Sequence, residues 1–370
     1  MLRQMNLPEA YLLSRAAELL NHEWTPDPPG VNPLTTLEAM LPIAARAALH
    51  TYREQPAGKG NLQLTLSRHI NETRAAELLA DTIEDRPGKD CGHAVRLISL
   101  QGVGAGDWLH AIPTRSDLTF APGQFSLALG FRLGMALPVT VNCPCKRDNT
   151  AITDTSLANH LLRCGYGGDV VRTHNALVYA LLRMAKEADF TVFHETTAFS
   201  PPVIRKSDLA IRDKESNETW VTNVTVTDLV LQCRNKRARK PPGWAAREAS
   251  ERKHRIYEGR PDYVGFFGLA VETYGALATD TQQFIRLLAS SMAKRRFRQG
   301  RLTTTTARLT AHYRQRFSVM LQRSQATSFL NKSNIGDVAA FSQTARDPWE
   351  PSLGDLWQVL EDEMEGVLGQ

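Results

Sequence analysis

Apolar positions recur every three or four residues in three stretches between Pro8 and about Glu84: PEAYLLSRAAELLN, PLTTLEAMLPIAARAALHTYRE and LQLTLSRHINETRAAELLADTIE. That spacing puts the apolar side chains on one stripe of a helix, so each stretch is predicted to be an amphipathic helix. The linker TPDPPGVNP, between the first two, is too rich in proline to continue either of them. Further on, ISLQGVGAGDW sets closely spaced glycines after an apolar run. It lacks both GxxxxGK[ST] and a full GxGxxG leading into a helix, so it predicts a turn rather than a phosphate cradle. FAPGQFSLALGFRLGMALP predicts a short helix from Gln124 to Met135.

The pattern sharpens after His174. HNALVYALLRMAKEA, to Ala188, has a clear helical stripe, and DFTVFHE, SDLAIRD and TWVTNVTVTDLVLQ have the β-branched and aromatic content of strands. WAAREASERKHRIYEG predicts another helix, YVGFFGLAVET a buried strand, and the region from about 279 to 325 two basic helices. Helix, three strands, helix, strand is the order of an α/β core built on a mixed sheet flanked by helices.

Composition narrows the class. The chain has 370 residues, 42% hydrophobic and 22% charged, which excludes a fibrous or disordered chain and allows two or three domains. No apolar run approaches the about twenty residues that span a bilayer, so no membrane partner is expected. The N-terminus has no long apolar segment and carries Glu9 and Glu18, which argues against a signal peptide and for an intracellular protein. The 5 cysteines suggest reduced thiols or metal ligands rather than a disulfide framework.

The net charge is +5, but its distribution says more. Residues 281–336 contain no Asp or Glu and include Arg295, Arg296, Arg298, Arg314, Arg316, Arg323 and Lys332, whereas 337–370 is acidic. A second cluster, CRNKRARK, holds Lys236, Arg237, Arg239 and Lys240. Such fields attract polyanions by neutralising phosphates and releasing counterions, so the expected partner is DNA, with RNA also possible. The plainer alternative is a solvated helical face and a flexible loop. KRARK also reads as a nuclear import signal or a phosphate-contacting loop, and a nuclear location is expected.

Cys143, Cys145, His160 and Cys164 follow the spacing C-x-C, fourteen residues, H-x-x-x-C. Three thiolates and an imidazole match a closed, tetrahedral structural zinc site, and His160 and Cys164 would share one helical face. The alternative is buried core cysteines beside an incidental histidine. Asp208 opens SDLAI and Asn223 opens NVTVT, so the two residues are expected side by side at the starts of neighbouring strands. With Glu195 at the end of TVFHE they form a candidate Mg²⁺ or Mn²⁺ site for activating a water, and Lys253 on the next helix is a candidate positive charge beside that water.

The succession CPC, H, C, GGDVVRTHNAL, FHE, RKSDLAI, NVTVTD, ERKHRIY and GLAVETYG resembles the C-terminal region of site-specific non-LTR retrotransposon proteins. There a zinc knuckle is coupled to a restriction-like endonuclease domain of the PD-(D/E)xK class. The likeness spans about Ile98 to Ala326. It implies DNA nicking with Asp208 and Glu195 on Mg²⁺ or Mn²⁺, Lys253 on the water, and Arg172 and His174, within an R-x-H-N element, as a backbone clamp or support. Ser207 stands where that pattern has proline, and Asn223 where it has a second metal-binding aspartate. An amide lacks the charge that gives a carboxylate its hold on a hard cation, so the site is expected to be weakened or lost. The chain has no Asp-Asp dipeptide, the mark of a reverse-transcriptase palm.

The expected organisation is a helical region over 1–97, a linker with a short helix over 98–142 and a zinc knuckle over 143–172. A restriction-endonuclease-like core follows over 173–278, then a basic helical extension over 279–336 and an acidic tail over 337–370.

Overall fold

A computed structural model of the chain describes residues 41–43, 45–47, 50, 62–84, 92–135, 155–195, 207–228, 240–257, 265–300 and 305–332. The chain divides into two compact units, Met1–Pro87 and Gly88–Gln370. The first holds helix α1, Leu62–Glu84, which coincides with the third apolar stripe of the sequence. The second holds α2 (Gly92–Leu100), α3 (Pro122–Leu133), α4 (Thr155–Arg163) and α5 (Asp169–Glu187). Strands β1 (Thr191–His194), β2 (Leu209–Arg212) and β3 (Thr219–Thr227) follow. Then come α6 (Trp244–Tyr257), β4 (Gly265–Glu272), α7 (Thr279–Arg298) and α8 (Thr306–Lys332).

The four strands form one mixed sheet in the order β1-β2-β3-β4. The first three are antiparallel and β4 runs parallel to β3, with α6 as the crossover between them. Local chemistry sets the chain reversals. Asp189 takes a left-handed φ of 73° after α5, where the Phe190 N–H donates to the Ala185 carbonyl (3.1 Å) and the Asp189 N–H to that of Lys186 (3.0 Å). This 6→1 and 5→2 pair is a Schellman closure. The β2–β3 turn is held by Asp213 Oδ1, which accepts the N–H groups of Glu215 and Ser216 (2.8 and 3.1 Å).

Strand alternation sends Leu209, Ile211, Val224, Leu269 and Val271 to one face, where they pack with Leu177, Leu181 and Met184 of α5, Phe284 and Leu288 of α7, and Tyr313 and Phe317 of α8. The opposite face is covered by α6. Ala246 and Ala249 meet Ala270, and Tyr257 stacks on Phe266 with centroids 4.3 Å apart. A second cluster gathers Trp108, Leu127, Phe131, Leu161, Tyr274 and Phe329 around the far end of α8. The GVGAG segment is the turn its pattern predicts. A Cβ at Gly102 would lie 2.4 Å from the Ala276 Cβ, so its glycine serves close packing against 275–277.

Helix α8 therefore passes through both clusters and is buried on several sides. Several of its cations turn inward: Arg316 is 3% exposed and bridges Asp117 (2.7 Å) and Glu187 (2.5 Å). Arg314 pairs with Asp107 (2.8 Å), and Arg323 donates to the carbonyls of Ser116 and Thr119 (2.9 and 3.2 Å). These residues belong to the acid-free segment from which the sequence pattern expects a polyanion-attracting field. Their partners, acids for Arg316 and Arg314 and backbone carbonyls for Arg323, come from elsewhere in the chain, and a buried guanidinium needs such partners to offset its lost hydration.

Candidate functional site

The β2–β3 pairing sets Leu209 opposite Thr222, and one further step of the same register sets Asp208 opposite Asn223. Asn223 is the fifth of the nine residues of β3 rather than its first, because the strand already begins at Thr219 beside the hairpin turn. The β1–β2 register ends at His194 opposite Leu209, and the Glu195 N–H donates to the Asp208 carbonyl (3.2 Å). Glu195, with φ 46°, thus lies next to Asp208 at the end of the sheet. The parallel register pairs Asn223 with Gly268, where α6 crosses.

The Asp208 carboxylate is hydrogen-bonded through one oxygen and lies near His174 through the other. Oδ2 accepts the Val224 N–H at 2.6 Å, and Oδ1 lies 3.6 Å from His174 Nε2. His174 sits in the second turn of α5, so the R-x-H-N element delivers its histidine to the expected carboxylate rather than outward as a clamp. Asn223 is 7% exposed, and its Nδ2 donates to the Tyr257 hydroxyl over a long 3.5 Å. Lys253 is half-buried and falls on the stripe of α6 that includes Ala246, Ser250 and Tyr257.

Around this group lie residues that the sequence analysis leaves out. His194 is half-buried, and burial lowers its pKa against the opposing pull of Glu195 and Asp208. The Tyr179 ring centroid is 5.4 Å from that of His194, and burial, with Glu195 adding to it, raises the phenol's pKa. Tyr257 lies four positions after Lys253, one helical turn, so the spacing from that candidate is the signal that could have found it. The two aspartates nearest in sequence are engaged elsewhere. Asp228 is buried against Arg163 (2.7 Å), and Asp213 holds the hairpin turn.

Arg172 folds back on its own helix end, donating to the Gly167 carbonyl (2.9 Å) and pairing with Asp169 (3.2 Å). Of the α7 cations, Arg295 donates to the Glu187 carbonyl (3.0 Å), Arg298 forms an exposed pair with Glu215, and Arg296 is half-buried. Lys240 lies over the Trp244 ring at 5.1 Å. Lys236, Arg237 and Arg239 lie outside the described residues, as do Cys143 and Cys145.

His160 and Cys164 lie one turn apart at the end of α4, where the Cys164 N–H continues the helix to the His160 carbonyl (2.9 Å). Cys164 packs in the second apolar cluster, and Lys332 donates to the Leu161 carbonyl (2.5 Å) at that helix end. One nitrogen and one sulfur a turn apart fit half of a tetrahedral zinc set. Among the described residues, no group of three or more His, Cys, Asp or Glu is arranged to hold a metal ion. A hard cation at Asp208 would find free lone pairs on that carboxylate and the neutral oxygen of Asn223, one negative charge short of a carboxylate pair. Comparison with protein-family models and with curated protein sequences finds no match. Among the described residues, no helix is long and apolar enough to cross a membrane.

Proposed function

We propose that the protein binds nucleic acid through a zinc knuckle and a restriction-like endonuclease core of the non-LTR retrotransposon kind, with a DNA-nicking site weakened at Asn223. The observation that carries this reading is the register that sets Asp208 opposite Asn223, on a sheet reached in the order helix, three strands, helix, strand. A bound Mg²⁺ or Mn²⁺ would supply Lewis acidity and an activated water. Asp208 would hold it, Glu195 lies next along the sheet, and Lys253 would steady negative charge from α6. Zinc on Cys143, Cys145, His160 and Cys164 would fold the knuckle and take no part in the chemistry. Nuclear residence fits a DNA partner.

A second reading, an inert binding module, is favoured by a separate observation. The Asp208 carboxylate already accepts the Val224 N–H, and the Asn223 amide is turned to the Tyr257 hydroxyl. Metal affinity separates the two. Asn223→Asp keeps the side chain's shape, and the Tyr257 hydroxyl can donate to the new carboxylate. Calorimetric titration with Mn²⁺ should show binding to Asn223→Asp at least about tenfold tighter than to wild type, since a second anionic ligand strengthens a hard-cation site. Equal affinities in two folded proteins would leave only the inert module.

A further inference from the structure

Tyr166 stands on the turn between α4 and α5 and is 59% exposed. Gly167 and Gly168 follow it with φ of 85° and 74°, left-handed backbone that favours glycine. The turn is braced from two directions. Arg172 holds the Gly167 carbonyl and Asp169, and buried Asp169 also accepts from Asn331 (3.0 Å) and lies 3.4 Å from Lys332 Nζ. Arg163, at the other end of the turn, is tied to Asp228.

A fixed turn therefore holds an aromatic ring in solvent, where it adds nothing to the core. Val170 and Val171, 40% and 61% exposed, extend the apolar surface onto the first turn of α5. Five residues beyond Asp169 the same helix brings His174 to Asp208. Lys332 offsets the charge of Asp169, which leaves the exposed Arg172 guanidinium and the positive end of α5 as the cationic border of this surface. A π face bordered by positive charge suits a base and its phosphate better than an apolar protein surface, which would leave that charge without a complement.

We propose that this turn seats an unpaired base of a single-stranded nucleic acid on Tyr166, with the adjoining phosphate drawn to the α5 N-terminus and the strand led towards Asp208. The inference rests on the nucleic-acid reading above. It makes Arg172 a brace for the turn rather than a phosphate clamp.

Fluorescence anisotropy with labelled oligothymidylate, oligouridylate and a DNA duplex of equal length tests it on wild type, Tyr166→Ala and Tyr166→Phe. Tyr166→Ala should weaken single-strand binding about tenfold, the scale of one lost base stack, and leave the duplex nearly unaffected. Tyr166→Phe keeps the ring and should bind like wild type. Unchanged single-strand affinity in Tyr166→Ala, or equal loss on the duplex, overturns the proposal while the nucleic-acid reading stands. Wild-type protein that binds none of the three probes overturns both.

Discussion

Glu272 shows how a single buried residue ties the stability of the fold to pH. It is 0% exposed at the end of β4, accepting from Ser99 Oγ (2.5 Å) and from the Ala245 N–H (3.0 Å) at the start of α6. Burial raises its pKa above the ordinary 4.5, and the hydrogen bonds from Ser99, Ala245 and Ala246 only partly offset this. Between the ordinary and the raised value the folded chain keeps a proton that the unfolded chain releases. That contribution favours folding at low pH and is lost as the pH rises from about 4.5 through the raised value. Glu272→Gln, neutral throughout, should flatten the dependence and raise the urea midpoint near pH 7 relative to wild type. Parallel pH profiles for the two proteins would contradict this. At this scale the sequence is informative about identity and silent about partners. That Asn223 lacks a charge can be read from its letter. That His174 meets Asp208 depends on how α5 sits at the end of the sheet, and no spacing within the helix encodes it.

At the scale of elements, periodicity carries most of the information. The stripes of α1 and α5 and the β-branched content of β3 locate those elements within a few residues. The signal weakens where a helix is buried on several sides, because α8 has no polar face to mark its orientation. That is why its arginines read as surface charge although Arg316 and Arg323 are inside. Gly268 sets how closely α6 approaches the sheet. A Cβ there would lie 2.8 Å from the Ser250 carbonyl oxygen and 2.9 Å from its hydroxyl. Backbone on a packed helix cannot yield as a flexible side chain does, so Gly268→Ala should cost about 1–3 kcal/mol, measured by urea unfolding. An unchanged midpoint would mean that α6 shifts freely on β4. Since Gly268 is paired with Asn223, the same substitution should also move Tyr257 and Lys253 relative to Asp208.

For the whole molecule, charge and fold have to be considered together. Acid-free stretches suggest a broad cationic surface, but ion pairs engage Arg314, Arg316 and Lys332, and hydrogen bonds to backbone carbonyls engage Arg323, within the fold. Fewer cations are left to meet phosphates than the sequence count suggests, so the salt dependence of binding should be shallower than that count implies. Where β2 begins, the Asp208 carboxylate faces the Asn223 amide of β3, with Glu195 alongside. The most direct measurement is nicking of supercoiled plasmid with Mg²⁺ or Mn²⁺ by wild type, Asn223→Asp and Asn223→Asp with Asp208→Ala. The predicted result is trace nicking or none by wild type, clear metal-dependent nicking by Asn223→Asp, and its loss in the double variant. Efficient nicking by wild type that survives Asp208→Ala, or a folded Asn223→Asp that binds the metal and cuts nothing, would contradict the account.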